Sequence, residues 1–316
     1  MNTAGVPQQA GQIVFTNKAR CRDCYRCLRA CPVKAIRVDG GQAFVQADRC
    51  ISCGTCIREC PQGAKSFRND VERAARLLAA GGPVAASVAP SFVSFLGPDR
   101  CRRLPEALHR LGFAYVGETA IGAYAVARAT ADLLNRAEPG AYVCTACPAV
   151  VSYVEQYEPD LAPRLIPVVS PMLAHAKAIR RRMGDAARVV FIGPCTAKKA
   201  EAERPANAGL VECVLTFTEL MEWLAAAGID LDACEEGPFD EEPRGDARYF
   251  PLPGGLARTA SLQTDLLATD CLAVSGFVDL REALESVRRA NRPVLLEALF
   301  CPQGCVGGPA MPGQAN

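Results

Sequence analysis

Short apolar runs alternate with amphipathic stretches between residues 83 and 300. Apolar runs of this length, bounded by Gly, Pro or polar residues, favour buried strands. We predict strands at residues 83–88, 114–116, 141–145, 166–169, 188–192, 211–215, 271–275 and 294–298. Helical periodicity predicts helices at residues 100–111, 121–134, 150–157, 172–183, 219–227, 261–267 and 280–290. Because strands that alternate with helices form parallel sheets with right-handed crossovers, the pattern indicates an α/β fold.

The first part of the chain follows a different pattern, with short strands and turns in place of long helices. Residues 12–16 are predicted to form a short strand at the end of a loose leader, and residues 35–39 and 42–46 two further strands. A predicted helix at residues 71–80 stops at a Gly-Gly-Pro sequence, because these residues end helices. A separate, smaller α+β unit therefore precedes the α/β part.

Composition and charge exclude several classes of protein. Half of the 316 residues are apolar and the formal net charge is +1, which argues against disorder and against a general affinity for nucleic acid or membranes. Residues 1–20 contain no apolar run long enough for a signal peptide or a membrane span. The 17 cysteines therefore argue for metal–sulfur chemistry in a reducing compartment, and we expect a cytoplasmic protein. Arginine clusters such as residues 180–182 are predicted to be solvated helix faces, with a docking patch for an acidic electron-transfer partner as the alternative.

Two copies of one cysteine pattern stand 29 residues apart near the N-terminus. They are Cys21-x2-Cys24-x2-Cys27-x3-Cys31-Pro32 and Cys50-x2-Cys53-x2-Cys56-x3-Cys60-Pro61. This is the pattern of bacterial two-cluster ferredoxins, in which the fourth cysteine of each copy serves the other cluster. One 4Fe-4S cluster is therefore predicted at Cys21, Cys24, Cys27 and Cys60, and a second at Cys50, Cys53, Cys56 and Cys31. Zinc is the alternative for Cys-x2-Cys, but two complete copies that end in Cys-Pro favour iron–sulfur clusters.

Three separated segments farther along the chain provide four more thiols. Cys147 precedes a proline, Cys195 follows the predicted strand at residues 188–192, and Cys301 and Cys305 lie among glycines. Glycine has no Cβ, so the main chain can approach a bulky ligand closely. Four thiolates are the number that one cubane cluster needs, which predicts a third 4Fe-4S cluster at these cysteines.

In order and spacing, these three segments resemble the signature loops of the iron-only (di-iron) hydrogenases. The matching stretches are Cys144-Thr145-Ala146-Cys147-Pro148, Gly193-Pro194-Cys195-Thr196-Ala197-Lys198-Lys199-Ala200-Glu201 and Cys301-Pro302-Gln303-Gly304-Cys305-Val306-Gly307-Gly308. The resemblance implies that Cys147, Cys195, Cys301 and Cys305 hold an H-cluster. Its 4Fe-4S part would use all four thiolates, and Cys305 would also bridge to a di-iron unit that carries CO, cyanide and a dithiolate bridge.

The resemblance also implies a fold with two α/β lobes and the H-cluster between them. The domain plan is then a leader at residues 1–16, a two-cluster ferredoxin-like domain at 17–70, a linker helix at 71–83 and an H-cluster domain at 84–316. We expect the boundary between the two lobes near residues 168–172.

Three polar residues, Lys198, Ser91 and Glu201, are predicted as catalytic-site residues. By resemblance, the Lys198 ammonium would reach a cyanide ligand and balance its negative charge. The alternative is a surface ion pair with Glu201, which lies three residues farther on the same helix face. Ser91 would offer its hydroxyl to a cyanide ligand, or would serve as the N-cap of a helix.

Several positions depart from the family pattern where protons must move. Standard members have a proton-transferring cysteine at the position of Ala146, and relay carboxylates on the helix after Gly122 that are absent here unless Asp132 takes their place. Two methionines of the family pattern are replaced by Gly193 and Leu299. A positioned acid or base contributes about 10²–10⁴-fold to a rate, so turnover is expected to be slow. Such losses resemble the sensory or regulatory branch of the family.

We therefore predict a slow, sensor-type hydrogenase that binds and heterolytically splits H2. Electrons would pass through the two ferredoxin-type clusters to a redox partner or a downstream signalling module, with no nucleic acid or membrane partner. The alternative is a non-catalytic iron–sulfur binding or carrier protein without the di-iron unit. Lys198 favours the first function, whereas Ala146 and the missing methionines favour the second.

Overall fold

The computed structural model describes residues 11–136, 140–262, 271–290 and 293–312. The strands are β1 (Val14–Thr16), β2 (Ile36–Asp39), β3 (Gln42–Val45), β4 (Lys65–Phe67), β5 (Val84–Val88), β6 (Tyr115–Glu118), β7 (Ala141–Val143), β8 (Arg188–Gly193), β9 (Cys213–Thr216), β10 (Cys271–Ser275) and β11 (Val294–Leu299). The helices are α1 (Arg26–Ala30), α2 (Thr55–Arg58), α3 (Val71–Ala79), α4 (Phe92–Leu96), α5 (Pro98–Cys101), α6 (Leu104–Leu111), α7 (Ala120–Leu134), α8 (Pro148–Tyr157), α9 (Pro171–Met183), α10 (Ala197–Ala202), α11 (Phe217–Ala226), α12 (Gly255–Ala260) and α13 (Phe277–Val287). No helix within these ranges is long and apolar enough to cross a membrane.

The small N-terminal domain consists of two antiparallel strand pairs and two short helices. Strand β1 pairs with β4 and β2 pairs with β3, which confirms the predicted α+β unit. The segment predicted as a leader therefore ends in a strand that belongs to this domain. Its apolar side chains Ile13 and Val14 are 3% and 2% exposed, so burial, rather than local sequence, holds them there.

The two cysteine repeats adopt the same backbone conformation. Asp23 and Ser52 have φ of 53° and 55°, and Tyr25 and Gly54, which precede α1 and α2, have φ of 56° and 74°. Non-glycine residues rarely adopt positive φ, so the conformation is imposed by the loop around the cysteines. The repeat in sequence is thus a repeat in structure.

The first lobe of the larger domain is built on a four-stranded parallel sheet in the order β6-β5-β8-β9. Every residue of the central strand β5 is buried, as expected for a parallel strand that is covered on both faces. Helices α9 and α11 contact β8, and α6 contacts β6. The short apolar runs of the sequence are therefore the core of this lobe.

The second lobe is built on a three-stranded parallel sheet in the order β10-β11-β7. With the first sheet, it confirms the predicted fold class, two α/β lobes behind a small α+β domain. A single lobe boundary near residues 168–172 is wrong, however. Strands β5 and β6 lie before this point and β8 and β9 after it, yet all four share one sheet, because β7 leaves the first sheet to pair with β11.

The predicted linker helix is part of the first lobe. Helix α3 contacts β9 and α11, and its Ala74 is 0% exposed in the core of that lobe. The preceding residue, Asp70, is buried and accepts a hydrogen bond of 2.7 Å from the Lys199 ammonium. The connection between the domains is therefore packed on the first lobe rather than extended between them.

Three predicted elements differ in the structure. Residues 166–169 form no strand; only Leu165 bridges to Val143, and Pro167 has no N–H to continue the ladder. The helix predicted at 100–111 is two helices, α5 and α6, because Pro105 starts a new first turn. Helix α12, which ends before Ser261 at φ 57°, was not predicted. Of the helix predicted at 261–267, Ser261 and Leu262 are not helical, and residues 263–267 lie outside the described residues.

An acidic segment, residues 234–246, folds back over the outer edge of the first sheet. The Asp240 N–H donates to the Val116 carbonyl at 3.0 Å, and the Asp240 carboxylate accepts from the Val116 N–H at 2.6 Å. These bonds satisfy backbone groups of the edge strand β6 that a neighbouring strand would otherwise pair. The segment also brings Glu241 next to this strand.

Candidate metal centre

The structure brings the cysteines of the small domain together in the two groups that the sequence predicts. All four thiols of the first group line one cavity of about 20 Å³: Cys21, Cys24, Cys27 and Cys60. Burial raises the pKa of the Cys27 thiol, and the neighbouring thiols of Cys60 and Cys21 raise it further. The fourth cysteine of the second repeat thus joins the first three of the other repeat.

The second group is formed by Cys50, Cys53, Cys56 and Cys31. Burial raises the pKa of the Cys50 thiol to about 12 and also raises the pKa values of Cys53 and Cys56. The nearby Cys31 thiol raises all three pKa values further, although Cys31 belongs to the first repeat. Crowded, buried thiols are stable as thiolates only when a cation neutralises them, which is what a cluster iron does.

Backbone amides are aimed at the sulfurs of both groups. The Ala35 N–H donates to Cys31 Sγ and the Ala64 N–H donates to Cys60 Sγ, each at 3.2 Å. Both bonds come from the residue four positions after the cysteine, so the repeats share this detail. Amide donors stabilise the negative charge on cluster sulfurs and tune their potential.

In the larger domain, three cysteine loops follow the carboxyl ends of parallel strands. Cys147 lies after β7 and Cys195 after β8, while Cys301 and Cys305 lie after β11. Ligand sites of α/β folds lie at this end of the sheet. Because β8 belongs to the first lobe and the other two strands to the second, the loops meet between the lobes.

The four thiols of these loops form one group. Cys147, Cys195 and Cys305 line a cavity of about 90 Å³, here called the central cavity. Burial raises the pKa of the Cys195 thiol to about 12 and raises that of Cys305, and the nearby Cys147 thiol raises both further. Burial likewise raises the pKa of Cys301, and the Cys195, Cys147 and Cys305 thiols add to this effect.

Each of the three groups contains four thiols, which is the number of ligands that one cubane cluster needs. Within the described ranges, no set of three or more His, Cys, Asp or Glu side chains lies close enough to hold one metal ion. In a cubane each thiolate binds a different iron, so the four sulfurs are spaced more widely than the ligands of a single ion.

Lys198 points into the central cavity from α10. Its ammonium donates to Glu201 Oε2 at 2.7 Å and to the Ala146 carbonyl oxygen at 3.3 Å. The ion pair with Glu201 is present, but the side chains of Lys198 and Glu201 are 10% and 9% exposed, so the pair is buried and its predicted place at the surface is wrong. A lysine ammonium has three N–H donors, and these two bonds leave one for a ligand in the cavity.

Ser91 also lines the central cavity. It is 2% exposed, its side chain makes no capping hydrogen bond to α4, and its Oγ has no partner among the described residues. A buried hydroxyl without a partner is costly, so its position calls for a ligand. The N-cap alternative is therefore wrong for the Ser91 side chain.

The remaining wall of the central cavity is apolar, and one of its residues accounts for the departure at Gly193. Ala146 and Leu299 line the cavity, together with Phe191 and Met172. A Cβ on Gly193 would lie 2.7 Å from the Phe191 ring and 2.9 Å from Ala89 Cβ. The Phe191 ring thus occupies the space beside Gly193, where the pattern of the resembling loops has a methionine.

The second cysteine group of the small domain lies directly against the loops of the larger domain. The Arg58 guanidinium donates to the Gly307 carbonyl oxygen at 2.9 Å, and the Tyr157 hydroxyl donates to the Arg49 carbonyl oxygen at 2.6 Å. A Cβ on Gly54 would lie 2.4 Å from Pro309 Cβ. Sequence reasoning missed this contact, for which the only signal was a glycine in the second repeat at the position of Tyr25 in the first.

Comparison with known families agrees with this geometry. Residues 82–309 match the family described as "Iron only hydrogenase large subunit, C-terminal domain", and residues 13–67 match "4Fe-4S dicluster domain". The chain belongs to the iron-only hydrogenase family. Iron–sulfur cofactors of the 4Fe-4S type follow from both matches, and the N-terminal unit of this iron-only hydrogenase relative is a ferredoxin-like dicluster domain.

Two curated proteins similar to this iron-only hydrogenase family member carry different names. The periplasmic [Fe] hydrogenase large subunit of Nitratidesulfovibrio vulgaris is 29% identical, with 95% of this chain and 87% of that protein covered. The cytosolic Fe-S cluster assembly factor NAR1 of Vanderwaltozyma polyspora is 36% identical over 88 residues, with 28% of this chain and 17% of that protein covered. The matched segment thus spans less than a fifth of NAR1.

Among solved structures, the fold resembles that of [FeFe]-hydrogenase HydA1 from Chlamydomonas reinhardtii. The TM-score with one variant of that protein is 0.60 at 21% identity, with 78% of this chain and 85% of that chain covered. At this identity the similarity extends to the fold.

The residues of this iron-only hydrogenase family member fit a di-iron unit beside the third cubane. Cys305, like Cys147 and Cys195, lies in both the thiol group and the cavity wall, so the cavity adjoins the thiol group directly. The unpartnered Ser91 hydroxyl and the Lys198 ammonium provide donors for anionic ligands at the same cavity. The wall between these donors is largely apolar.

Proposed function

We propose that this protein is a slow, sensor-type hydrogenase that binds and heterolytically splits H2. It would hold three 4Fe-4S clusters and a di-iron unit with CO, cyanide and a dithiolate bridge. The ligands would be the two groups of the small domain and, for the H-cluster, Cys147, Cys195, Cys301 and Cys305. Lys198, Ser91 and Glu201 would complete the catalytic site.

The buried Lys198 ammonium beside an unpartnered Ser91 hydroxyl is the observation that carries this proposal. A cubane held by four thiolates needs neither group. Burial of a lysine is costly, and the single Glu201 carboxylate already neutralises it within the protein. A second anionic group in the central cavity would accept hydrogen bonds from the Lys198 ammonium and the Ser91 hydroxyl. Cyanide ligands of a di-iron unit are such a group.

When bound, the di-iron unit supplies the H2-binding and H2-splitting chemistry. The chain supplies charge balance through Lys198, a hydroxyl donor through Ser91, and orientation through the carboxylate of Glu201, which holds the ammonium at 2.7 Å. Phe191, Leu299 and other apolar side chains of the wall keep water out and strengthen these electrostatic interactions.

Electrons would leave through the two cubanes of the small domain in a fixed order. The group of Cys50, Cys53, Cys56 and Cys31 contacts the H-cluster loops through Ser52, whose carbonyl oxygen accepts from the Thr196 hydroxyl at 2.7 Å. The other group is farther along the small domain, where Cys24 is exposed and Tyr25 is 44% exposed. A redox partner or a separate signalling module would therefore receive electrons at this outer end.

Turnover is expected to be slow because Ala146 stands at the cavity where a proton must pass. A methyl group can neither donate nor accept a proton, and loss of a positioned acid or base lowers a rate by about 10²–10⁴-fold. Slow turnover suits a protein that reports hydrogen or redox state. We expect it to act in the cytoplasm, since a reducing compartment preserves cysteine-ligated clusters.

The test is loading of the purified protein with the di-iron cofactor. Infrared bands of CO and cyanide should appear, iron content should rise from about twelve to about fourteen per chain, and H2-dependent dye reduction should be weak but measurable. Protein that takes up no di-iron unit and reduces no dye would refute the proposal.

A second candidate is an iron–sulfur binding or carrier protein without the di-iron unit. Ala146 favours it, as does the similarity of part of the chain to an Fe-S cluster assembly factor. It predicts about twelve irons per chain after the same loading procedure, and transfer of cubanes to an apo acceptor.

A further inference from the structure

A file of buried polar side chains leads away from the central cavity into the first lobe. Thr119 lines the cavity, and its Oγ1 lies 2.8 Å from Ser87 Oγ. Ser87 Oγ lies 2.8 Å from Nδ1 of His175 on α9. Thr119 is 4% exposed, and Ser87 and His175 are 0% exposed. We call these three residues, together with Tyr115, the polar column.

The pleat of the first sheet aligns this column. Tyr115, Gly117 and Thr119 occupy alternate positions along and just beyond β6, so they share one face. Ser87 of β5 pairs directly with Gly117 and lies on the same face. A Cβ on Gly117 would lie 2.6 Å from the Tyr115 hydroxyl oxygen. Because Gly117 has no side chain, the Tyr115 hydroxyl can lie over it, beside Ser87.

The outer end of the column reaches the surface. The Tyr115 hydroxyl donates to Glu241 Oε2 at 3.3 Å, and the Arg182 guanidinium donates to the same oxygen at 3.2 Å. The side chains of Arg182 and Glu241 are 54% and 40% exposed, so this pair is in contact with solvent. Glu241 belongs to the acidic segment that covers the edge strand.

His175 occupies the middle of the column with one nitrogen available. Its Nε2 is buried and has no hydrogen-bond partner among the described residues. The centroids of the His175 and Tyr115 rings are 6.4 Å apart, so the two rings are neighbours, and a path between Nε2 and the Tyr115 hydroxyl requires a bridging water. Burial lowers the pKa of His175 to about 3, so the ring is neutral near pH 7 and has one donor and one acceptor nitrogen.

We propose that the polar column is a proton path between the central cavity and the surface at Glu241, in place of the missing cysteine and carboxylate relay. This inference rests on the proposed function of the cavity. Thr119 is the residue at the cavity, and Ser87, His175 and Tyr115 act behind it.

Each transfer along the path makes and breaks one bond to hydrogen. A proton that arrives at Thr119 Oγ1 forms an O–H bond while the original hydroxyl proton passes to Ser87 Oγ. The Ser87 proton passes to Nδ1 of His175, and the proton on Nε2 leaves through water and Tyr115 to Glu241. One proton enters the column and one leaves it, and no electron is transferred. Rotation of the hydroxyls and tautomer exchange of the His175 ring then restore the initial protonation state of the column.

The first measurement uses protein without the di-iron unit, so it is independent of loading. The chain has two histidines, His109 and His175, and a His109→Gln variant assigns the ¹⁵N signals of the His175 ring. The expected result at pH 7 is a neutral ring whose nitrogen shifts change when Ser87→Ala removes the bond to Nδ1. A doubly protonated ring, or shifts unaffected by Ser87→Ala, would overturn the column.

The second measurement compares isosteric variants in loaded protein. Thr119→Val removes the hydroxyl and Thr119→Ser retains it; Tyr115→Phe removes the outer hydroxyl. At equal intensity of the CO and cyanide infrared bands, Thr119→Val and Tyr115→Phe should lower H/D exchange between H2 and solvent at least about 10-fold, whereas Thr119→Ser should retain it. Tyr153→Phe is the control, because Tyr153 donates to Glu158 at 2.9 Å outside the column.

The outcomes separate the column from the proposed function. Absent infrared bands in the wild-type protein would refute the proposed function, while the nitrogen shifts of His175 still decide the column. Full bands with unchanged exchange in Thr119→Val would refute the column alone. Glu118 is ion-paired with Arg248 at a separate open cavity of about 550 Å³, so it lies outside the column. Slower H/D exchange in Glu118→Gln, together with normal exchange in Thr119→Val, would therefore also refute the column.

Discussion

Thr196 and Ser52 are joined by a hydrogen bond of 2.7 Å from the threonine hydroxyl to the serine carbonyl oxygen. Each residue is the chain neighbour of a cluster cysteine, Thr196 of Cys195 and Ser52 of Cys53. The bond is buried and links residues 144 positions apart. It shows that the second cysteine group of the small domain, rather than the first, adjoins the loops between the lobes.

Substitution of Gly54 tests this contact. Gly54→Ala adds a Cβ that would lie 2.4 Å from Pro309, at a residue with φ +74°. Gly63→Ala is the matched control, since Gly63 has φ +56° but its nearest neighbour is the end of the Arg20 side chain at 3.9 Å. Both substitutions should cost about 1 kcal/mol through backbone strain. Gly54→Ala should lower the free energy of unfolding by about a further 1 kcal/mol or more, because the added Cβ overpacks the contact with Pro309. Equal losses in chemical denaturation would contradict the contact.

Replacement of Lys198 tests the di-iron site. Lys198→Met keeps the volume but removes the cavity ammonium, so the three cubanes should form while loading of the di-iron unit falls at least about 10-fold. Iron content and infrared intensity measure the two parts separately. The double variant Lys198→Met with Glu201→Gln removes the unpaired carboxylate as well, and should still fail to load. Normal loading of the double variant would show that the ammonium is dispensable.

The adjacent Lys199 makes a different set of contacts. Its ammonium is 0% exposed and lies 2.7 Å from Asp70 and 2.9 Å from Glu219. Lys199→Met leaves the buried Glu219 carboxylate without its cation and leaves Asp70 paired with Arg68 alone, and should lower the free energy of unfolding by about 3–5 kcal/mol. Chemical denaturation measures this loss. A change under about 1 kcal/mol would contradict a role of Lys199 in holding α3 on the first lobe.

The same cluster predicts a pH dependence. Burial opposes ionisation of Asp70, but hydrogen bonds from Arg68 and Lys199 outweigh it, so the pKa of Asp70 is lowered in the folded protein. A lowered folded pKa gives stability that is present above the unfolded pKa of about 4 and is lost as pH falls through the folded value. Asp70→Asn should therefore reduce stability at pH 7 and flatten its decline below about pH 4. Parallel curves for both proteins would contradict this assignment.

Restoration of a thiol at Ala146 tests why turnover is slow. Ala146 lines the central cavity, and its contact with Lys198 is made by the backbone carbonyl, so Ala146→Cys leaves that bond in place. The variant should raise H2-dependent dye reduction by about 10²-fold or more at equal loading. Ala146→Ser is a control for polarity without an acidic thiol. An unchanged rate in Ala146→Cys would show that proton transfer at this position does not limit turnover.

Local spacing explains why the cluster cysteines could be found from the sequence. The x2-x2 spacing wraps one loop around one cube, so three of the four cysteines in each group of the small domain lie within a few residues of one another. The crossover of Cys31 and Cys60 also follows from the repeat. The two parallel sheets were predictable in kind, because short apolar runs between helices are their signature.

The positions of the elements relative to one another were harder to predict from the sequence. Strands β8 and β9 join the sheet of β5 and β6 by pairing between residues that are far apart in the chain. Local patterns do not encode such pairing, so the sequence predicts a single lobe boundary, whereas the chain crosses between the lobes more than once. Helix α12 begins at Gly255 because Glu297, on a distant strand, accepts hydrogen bonds from the Leu256 and Ala257 N–H groups. Periodicity did not predict this helix.

The sequence by itself predicted which cysteines form groups, through local spacing in the small domain and through the order of three separated loops in the larger one. The tertiary structure alone decided what surrounds them: the free hydroxyl of Ser91, the buried pairing of Lys198, and the alignment of Thr119, Ser87 and His175. Those contacts join residues far apart in the chain, and hydrogen bonding over such separations is set by packing of whole elements rather than by any local pattern.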